Sequence, residues 1–572
     1  MRKVAKKAFL CSNEVNSIIL HKILASKIMK RRTLLKNMAL ALPALAYADT
    51  NPSSFLHGLT EPEASIAKGK FQPSWESLGQ YELPAWFRNA KFGLWAHWGP
   101  QCQPEAGDWY ARNMYLVGSN QYKYHLKKYG HPSKFGFKDV INDWKADKWQ
   151  PEELLALYKK TGARYFVALA NHHDNFDNWD SKYQKHWNAT KIGPKKDLIG
   201  GWAKAARNQG LPFGVSIHAS HVWTWYESAQ GKDDQGQFDG NLTKNDGKGK
   251  WWDGLDPQEL YAQGHPLSSA PDYSTLWEWG KEANPPNAAY LKKYMNRVMD
   301  LIKKYQPELL YFDDNVLPYY PLNQTLGLEI AAHFYNQNMK RNGGQLTAVM
   351  TLKKLGPTQR NCFVWDVERG HSNEIEHYVW QTDTCIGGWH YDRQVYHDNG
   401  YKSAKTVVHA LIDIVSKNGN LLLNIPLRGD GSMDEKERLT VDGIGEWMGK
   451  YSDCIYDTRP WKIYGEGPAL AEIAKLTGHG FNEGKGKPFT GEDIRFTTKN
   501  GALYAMPLGQ PIGGQVVIKS LRQGAEHYPQ AISKVELVGT NQSLEFVRNN
   551  EGLTVKLPNS VGGEYAYAVR VL

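Results

Sequence analysis

Eight short apolar runs, separated by helical patterns, constrain the fold of this chain more than any other feature. The runs are rich in β-branched and aromatic residues and lack the polar alternation of half-exposed strands, which is typical of buried parallel strands. Buried strands that alternate with helices predict an α/β fold with a (β/α)8-like barrel. The predicted strands are residues 92–96, 165–170, 213–217, 309–312, 346–351, 362–367, 378–382 and 421–425.

Polar or reactive side chains follow nearly every predicted strand. In a barrel of this kind the carboxyl ends of the strands meet at one face, where the loops after them form the active site. A long segment, residues 220–287, follows the third strand, and we expect it to form a wall of a binding cleft. The strand-end residues are His97, His172, His173, His218, Asp313, Glu368, Asp383 and Asn424.

The sequence pattern changes near residue 460. Helical periodicity ends, and short alternating runs separated by turn residues such as Asn500-Gly501 follow. These runs predict a C-terminal antiparallel β-sandwich of roughly 100 residues, a normal size for that architecture. We therefore divide the 572 residues into a leader at 1–48, a catalytic barrel domain at 49–462 and a β-sandwich domain at 463–572.

Residues 1–48 have the pattern of an export leader. A basic stretch with paired arginines (30–36), an apolar stretch (38–45) and Ala46-Tyr47-Ala48 predict a twin-arginine-type signal peptide and a periplasmic or secreted bacterial protein. We expect Met29 to be the true start and residues 1–28 a mis-called extension; a genuine basic tail is the alternative. The leader holds ten Lys and Arg and one Glu, so the rest carries only +1 of the net charge of +10. That balance argues against nucleic-acid binding, and no later stretch is apolar enough to span a membrane.

Two predicted strands end in carboxylates. Asp313 and Asp314 follow one strand, and Glu368 ends another. Glycoside hydrolysis needs two carboxyl groups, one ionised and one holding a proton. The alternatives are a helix N-cap for the aspartates and an ion pair with Arg369 for Glu368.

Three histidines at strand ends, His97, His172 and His173, suit either metal binding or hydrogen bonding to sugar hydroxyls. Neighbouring side chains on a strand point to opposite faces, so His172 and His173 share one ion only if the strand has already ended. We predict no metal and no cofactor. The four cysteines after the leader lack C-x-x-C spacing, which argues against a metal knuckle, and export leaves disulfides open: Cys102, Cys362, Cys385 and Cys454.

A series of motifs resembles the α-L-fucosidases of glycoside hydrolase family 29, in the same order over about residues 75–465. The first block is Lys91-Phe92-Gly93 with His97-Trp98-Gly99 and Gly107-Asp108-Trp109-Tyr110; the second contains His172-His173-Asp174-Asn175-Phe176. Further similar blocks are Leu310-Tyr311-Phe312-Asp313, Trp380-Gln381-Thr382-Asp383 with Trp389-His390-Tyr391, Asn418-Gly419-Asn420-Leu421-Leu422-Leu423-Asn424 and Thr458-Arg459-Pro460-Trp461.

The resemblance implies a retaining, double-displacement α-L-fucosidase acting on terminal residues of oligo- or polysaccharides. Asp313 is then the nucleophile. Glu368 is our choice for the acid/base because it ends a strand, with Glu374 and Glu376 as alternatives. The residues implied to bind the sugar are His97, Asp108, Trp109, His172, His173, His218, Trp380 and Trp389.

The chain departs from the family pattern at Asp108, Asn175, Asp314 and the block around His218. We expect these changes to cluster at the sugar pocket and to supply polar groups that accept an extra hydroxyl. An α-L-galactosidase, or an enzyme with dual activity on algal galactans, is therefore an alternative, since a small difference in sugar shape discriminates by only about 1–3 kcal/mol. The strand-end residues are also compatible with a metal-dependent barrel hydrolase or with a non-catalytic sugar-binding protein.

Overall fold

The computed structural model describes residues 65–262, 264–269, 283–472, 474–476, 480–558, 561 and 565–572. Among them, eight parallel strands close into a barrel in which each strand pairs with the next along the chain, and the last pairs with the first. This confirms the predicted fold class. The strands are β1 (Phe92–Ala96), β2 (Phe166–Asn171), β3 (Phe213–Ile217), β4 (Leu309–Asn315), β5 (Val349–Lys353), β6 (Val364–Glu368), β7 (Trp380–Cys385) and β8 (Gly419–Asn424).

Helices cover the outside of the barrel, and their ends follow local sequence signals. Pro151 occupies the first turn of one helix, where no backbone donor is needed, and two glutamates follow it. Asp434 caps another helix in a capping box with Glu437. The longer helices are Asn120–Lys128, Pro151–Thr161, Leu198–Asn208, Ala288–Tyr305, Gln324–Arg341, Ala404–Ser416 and Glu435–Tyr451.

The barrel departs from a regular (β/α)8 pattern on one side. The connections from β5 to β6 and from β6 to β7 are fully described and contain no α-helix, only the 3-10 turn Gln359–Asn361. The loops after β1 and β3 instead hold short helices. These are Tyr110–Asn113 and Phe137–Asp143 after β1, and Val222–Trp225 and Gln258–Tyr261 after β3.

The C-terminal region folds into two antiparallel sheets, as its alternating pattern predicts. The strand Arg459–Glu466 crosses the predicted domain boundary at 462/463 and pairs with Ile494–Lys499. The six-stranded sheet has the order Arg459–Glu466, Ile494–Lys499, Ala502–Pro507, Val569–Val571, Val535–Leu537 and Gln542–Ser543. The three-stranded sheet has the order Gln515–Ile518, Leu553–Lys556 and Phe546–Arg548.

A buried ion cluster joins the barrel helix Ala404–Ser416 to the C-terminal sheet. Asp413 accepts from Arg495 Nε at 2.6 Å through one carboxylate oxygen. Its other oxygen lies 2.7 Å from Lys417 Nζ and 3.1 Å from His371 Nδ1. Burial alone would raise the pKa of Asp413, but the two cations outweigh it and hold that pKa well below its ordinary value. The ionised Asp413 carboxylate therefore links the barrel helix to the C-terminal sheet.

Some predictions fall on parts of the chain outside this description. The leader at 1–48 lies outside the described residues, and so do residues 263 and 270–282 of the long segment after β3. Export therefore stays a prediction. Within the described residues no helix is both long and apolar enough to cross a membrane. The four described cysteines are buried and free.

Candidate active site

A cavity of about 480 Å³ lies at the carboxyl ends of the barrel strands, a volume typical of small-ligand sites. Residues from strand ends and loops line it, and they include carboxylates, two lysines and several histidines near aromatic rings. The lining residues are Trp95, His97, Asp108, Trp109, His172, His218, His221, Tyr311, Asp313, Asn315, Lys353, Lys354, Glu368, Asp383, Trp389, His390 and Phe481.

Asp313 and Asp314 have different surroundings although they are neighbours on β4. The Asp313 side chain is 21% exposed and lines the cavity. Asp314 is buried, where it accepts from Ser220 Oγ at 2.7 Å and contacts His221 Nε2 at 3.1 Å. Because successive side chains on a strand point to opposite sides, only Asp313 faces the cavity.

Lys353, at the end of β5, joins the acidic groups of the site. Its ammonium nitrogen lies 2.8 Å from Asp313 Oδ1, forms an ion pair with Glu368 Oε2, and lies 3.8 Å from Asp383 Oδ2. Glu368 and Asp383 are direct partners in the pairing of β6 with β7. Three strand ends thus bring three carboxylates to one buried cation.

The charge balance around Lys353 sets the protonation of these groups. Burial alone would raise the pKa of Asp313, but the Lys353 ammonium, together with the N–H of His218, holds it well below the ordinary value. Burial raises the pKa of Asp383 to about 7, against the attraction of Lys353 and with the repulsion of Glu368. Burial and the neighbouring Asp383 likewise raise the pKa of Asp366 well above its ordinary value. One lysine therefore keeps Asp313 ionised while nearby carboxyls hold protons.

The two other candidates for the acid/base lie away from the cavity. Glu376 forms an ion pair with Arg360 Nη1 at 2.9 Å and accepts from Ser372 Oγ at 2.7 Å. Glu374 is exposed and does not line the cavity. Glu368 is the only one of the three predicted residues that shares the cavity with Asp313.

The histidines surround Asp313 and the deep end of the cavity. His218 Nδ1 lies 3.2 Å from Asp313 Oδ2, and since a carboxylate only accepts, this nitrogen carries the proton. His172 Nδ1 lies 2.8 Å from Gln101 Nε2, a donor, so the His172 proton is on Nε2. His173 lies behind them: its Nδ1 bonds the His218 carbonyl at 2.7 Å, and its Nε2 is 3.7 Å from Asp313.

Burial keeps these rings neutral. It lowers the pKa of His97 and His172 well below the ordinary value, lowers that of His173 to about 4, and lowers that of His218. Both ring nitrogens of His97 and Nε2 of His218 have no hydrogen-bond partner among the described residues. Buried polar atoms of this kind are satisfied when a ligand supplies the partner. The cavity thus presents a donor at His172 Nε2 and an acceptor at His218 Nε2, which suits neighbouring hydroxyl groups.

Among the described residues, two trios of histidines have ligand atoms within 4.8 Å of one another: His97, His172 and His390, and His172, His173 and His218. Both trios contain His172. A metal at its Nε2 requires the proton on Nδ1, where Gln101 Nε2 already donates. Turning the Gln101 amide would remove that conflict but would leave the Ala111 N–H without the acceptor Gln101 Oε1, at 3.4 Å. The hydrogen bonds around His172 therefore favour hydroxyl binding over metal binding.

The aromatic residues divide into a buried group and an exposed pair. Trp95 and Tyr311 are buried, and the Trp389 ring lies 5.5 Å from that of Trp95. At the rim, Trp109 is 36% exposed and Phe481 is 49% exposed. The cavity thus has an aromatic wall at depth and aromatic faces at its opening.

Trp380 does not fit the sugar-binding role predicted for it. It is the first residue of β7, at the opposite end of the strand from the cavity, and its indole donates to the Lys417 carbonyl at 2.9 Å. A motif match places a residue on a strand, but not at the end of the strand that faces the ligand.

The departures from the family pattern do not all cluster at the pocket. Asp108 and His218 line the cavity, and Asp108 Oδ1 accepts from the His390 backbone N–H at 2.7 Å. Asp314 is turned away, and Asn175 donates to the Leu260 carbonyl at 2.8 Å in the loop after β3. The expectation of four changes around the sugar is therefore wrong for two of them.

Sequence reasoning missed Lys353, His390 and Phe481, and gave Asp383 no role. Lys353 was hidden because the fifth strand was predicted to end at residue 351, two positions before the observed end. A search for charged residues just beyond each predicted strand would have found it. Phe481 had no such signal, because it reaches the cavity from the C-terminal region.

Comparisons with known proteins agree with this geometry. The sequence matches the family model "Alpha-L-fucosidase" over residues 59–453 and the model "Alpha-L-fucosidase C-terminal domain" over residues 487–571. An alpha-L-fucosidase of Branchiostoma floridae is 24% identical over 515 residues, which cover 88% of this chain and 96% of that protein. Human plasma alpha-L-fucosidase is 25% identical over 507 residues, with 86% and 89% covered.

Solved structures show the same likeness. The Thermotoga maritima alpha-fucosidase in complex with fucose has 26% identity and a TM-score of 0.64, and the match covers 88% of this chain and 100% of that one. The same enzyme with a mechanism-based inhibitor has a TM-score of 0.65. The family match spans well over half of the residues, and the active-site cavity lies largely within it. The chain therefore belongs to the alpha-L-fucosidase family and is a glycoside hydrolase.

Proposed function

We propose that this chain is a retaining, exo-acting α-L-fucosidase of glycoside hydrolase family 29, which removes terminal α-L-fucosyl residues from glycans by double displacement. One observation carries the proposal: Asp313 and Glu368 contact the same ammonium nitrogen, that of Lys353, inside one cavity. The distance between the two carboxylate oxygens that contact Lys353 is therefore at most the sum of two hydrogen-bond lengths. This upper limit is compatible with the spacing of about 5–5.5 Å in retaining enzymes and is shorter than the wider spacing that admits a water in inverting ones.

Asp313 is the nucleophile in this proposal. Its carboxylate attacks the anomeric carbon as the bond to the departing oxygen breaks, and a covalent glycosyl-enzyme forms. Lys353 and His218 hold Asp313 ionised and oriented, so the attacking oxygen needs no base to remove a proton. Water then attacks the same carbon, and the ester bond to Asp313 breaks. The free sugar leaves and the Asp313 carboxylate is restored.

Glu368 serves as acid and then as base. It gives a proton to the departing oxygen in the first step and takes one from water in the second. Conversion of Asp313 to a neutral ester removes one negative charge from beside Lys353. The attraction of that cation then falls more fully on Glu368, the group that acts as the base in the second step.

The deep end of the cavity binds the L-sugar. His172 and His218 supply a donor and an acceptor for neighbouring hydroxyls, and His97 supplies a further ring in the same space. The apolar wall of Trp95 and Trp389 suits the methyl-bearing face of fucose. Asp108 and Trp109 complete the pocket from the loop after β1.

An α-L-galactosidase activity is the second candidate, because Asp108 and His218 are departures that line the cavity. L-galactose carries a hydroxyl on C6 where fucose has none, and polar groups near that carbon would accept it. The preference between the two sugars depends on one small group and is worth about 1–3 kcal/mol.

Turnover of the purified protein on 4-nitrophenyl α-L-fucoside and on the matching α-L-galactoside tests this proposal. We expect the fucoside to be preferred and NMR to show the sugar released first in its α form. Preference for the galactoside would assign the second candidate, and release in the β form would remove the retaining mechanism. Stoichiometric zinc in the active protein, with activity lost on chelation, would favour a metal-dependent hydrolase instead.

A further inference from the structure

The C-terminal region reaches the mouth of the barrel through residues 480–483. The Phe481 N–H donates to the Glu368 carbonyl at 2.9 Å, and the Glu483 N–H donates to the Arg369 carbonyl at 3.0 Å. Between them, the Asn482 side chain accepts from the His371 N–H at 2.8 Å. Consecutive residues are thus hydrogen-bonded to the chain that follows β6, beginning at Glu368.

The Glu483 side chain anchors the same segment to a second strand end. It forms an ion pair with Lys402 at 2.7 Å and accepts from Thr384 Oγ1, on β7, at 2.9 Å. The group is largely buried, and its cationic partners hold its pKa below the ordinary value although burial opposes this. Residues 480–483 are therefore fixed to both strands that supply the acidic side of the cavity.

Phe481 is the member of this segment that faces the cavity. Its ring lines the same space as Asp313 and Glu368, and half of it is exposed. Its backbone is in the left-handed region, with φ of 60°, a conformation that is uncommon for bulky residues and is concentrated at functional sites. A single exposed apolar side chain on an outer surface is ordinary. Phe481 differs from such a residue, because it is held in an uncommon backbone conformation at the mouth of the candidate active site.

The position of Phe481 relative to Glu368 tells which part of the substrate it meets. In the proposed function, Glu368 gives its proton to the oxygen that links the L-sugar to the rest of the glycan. Phe481 is hydrogen-bonded to the backbone of Glu368 itself, whereas the buried histidines lie at Asp313. Phe481 therefore lines the cavity on the Glu368 side, where the proposed function places the departing group.

We infer that Phe481 is the stacking platform of a leaving-group subsite, which takes the pyranose ring to which the L-sugar is attached. The inference rests on the proposed function and extends it to the aglycone. The apolar face of a pyranose packs on an aromatic ring, while its hydroxyls remain in water at the half-open rim. Trp109 is the other rim aromatic residue with substantial exposure among the described lining residues, and it offers a second face.

Two substrates separate this role from every other role of Phe481. α-L-Fucosyl fluoride has no ring in its leaving group and needs little help from an acid. Fucosyl disaccharides carry galactose or N-acetylglucosamine as leaving group, and the fastest-cleaved member of a linkage set serves as the second substrate. We compare kcat/KM on both for wild type, Phe481→Ala, Phe481→Leu and Phe481→Trp.

We expect both Phe481→Ala and Phe481→Leu to lower kcat/KM on the disaccharide by about tenfold, and neither to change it on the fluoride by more than about twofold. Phe481→Trp keeps an aromatic face and should retain most of the activity. Phe481→Leu keeps apolar volume, so it remains informative if the alanine variant folds poorly. Tyr378→Ala, which truncates a similarly exposed aromatic residue outside the cavity, is the matched control and should change neither substrate.

Equal losses on both substrates would overturn the inference, because Phe481 would then only support Glu368 or the segment around it. Unchanged disaccharide cleavage in Phe481→Ala would also overturn it, as would a wild type that cleaves the fluoride but no disaccharide. Failure of the wild type on the fluoride is a different result. It would remove the proposed fucosidase function before any variant is examined, and the fucosyl subsite with it.

Discussion

Two aspartates in this molecule, Asp313 and Asp413, have similar partners but different consequences. Asp313 in the cavity and Asp413 at the junction with the C-terminal sheet each contact a lysine and a histidine, and both pKa values are held well below the ordinary range. Asp413 is 3% exposed and has two permanent cations, Lys417 and Arg495, to itself. Asp313 is more exposed and shares its one lysine with other carboxyls.

The difference lies in charge compensation and access. At the junction two cations meet the single carboxylate of Asp413, and both of its oxygens have partners. Burial strengthens these contacts, so the cluster stabilises the structure. In the cavity one lysine meets three carboxylates, and burial, together with the repulsion of Glu368, raises the pKa of Asp383 to about 7. An ionised carboxylate that faces a cavity, beside a carboxyl group whose pKa is raised, suits the nucleophile role proposed for Asp313.

The largest expected effect is at Asp313, the aspartate that faces the cavity. Asp313→Ala should lower kcat/KM on the aryl fucoside by about 10⁴-fold or more, because the proposed first step is the attack of this carboxylate on the anomeric carbon. Azide, a small nucleophile that fits the space left, should restore part of the turnover. Asp314→Asn, which alters the neighbouring carboxylate turned away from the cavity, should cost far less. The reverse order would exchange the two assignments.

A smaller loss is expected at the second carboxylate on Lys353. Glu368→Ala should lower kcat/KM on a disaccharide by about 10³-fold, the usual contribution of a general acid, and much less on the fluoride, whose leaving group needs little protonation. Azide should rescue this variant with an activated substrate. Glu374→Ala, at an exposed residue outside the cavity, is the control. Rescue there and none at Glu368→Ala would move the acid/base to the following loop.

The junction aspartate should affect stability and leave catalysis intact. Asp413→Asn leaves two buried cations without their counter-ion and should destabilise the fold by about 3 kcal/mol at neutral pH, with kcat at permissive temperature unchanged. Asp453→Asn, at a half-exposed ion pair with Lys499, should cost at most about 1 kcal/mol. Thermal unfolding measures both.

The pH dependence of that stability has a fixed sign. The folded pKa of Asp413 lies below its unfolded value, so its contribution is present above the ordinary carboxyl range and is lost as pH falls through the folded pKa. The difference between wild type and Asp413→Asn should therefore shrink in acid. A difference that is equal at neutral and acidic pH would contradict the ionised state of the cluster.

The smallest expected effect is a shift in the pH profile when Lys353 is replaced. Lys353→Met removes the cation that lowers the pKa of Asp313, while burial still raises it. Because Asp313 acts as an anion, activity is present above its pKa, so the acid limb of kcat/KM should move to higher pH in this variant. Lys148→Met, at an exposed lysine paired with Asp430, should leave the limb in place. An unmoved limb in Lys353→Met would mean that Lys353 does not govern the nucleophile.

Much of the fold was predictable because its signals are local. All eight barrel strands were found within a few residues of their observed ends, since a buried parallel strand is a short apolar run whatever lies beside it. Asp313, His97, His172 and His218 were placed at the cavity for the same reason, because the carboxyl ends of parallel strands meet at one face. The strands Gln542–Ser543 and Phe546–Arg548 are too short and too exposed to give such a signal.

The side on which each residue points was less accessible from sequence. Strand side chains alternate with a period of two, so an error of one or two positions in a strand end reverses or hides a residue. Lys353 was hidden in this way, and Trp380 was placed in the sugar pocket although it begins its strand at the far end of the barrel.

The sequence by itself determined the barrel, the C-terminal sheets, and the strand ends that carry Asp313 and the cavity histidines. Only the tertiary structure decided that one lysine serves Asp313, Glu368 and Asp383, and that Phe481 lies beside Glu368, more than a hundred residues earlier in the chain. The physical reason is the range of the forces involved. Strands follow from the apolar pattern of neighbouring residues, whereas charge compensation and the shape of a cavity depend on groups that meet only after the chain has closed on itself.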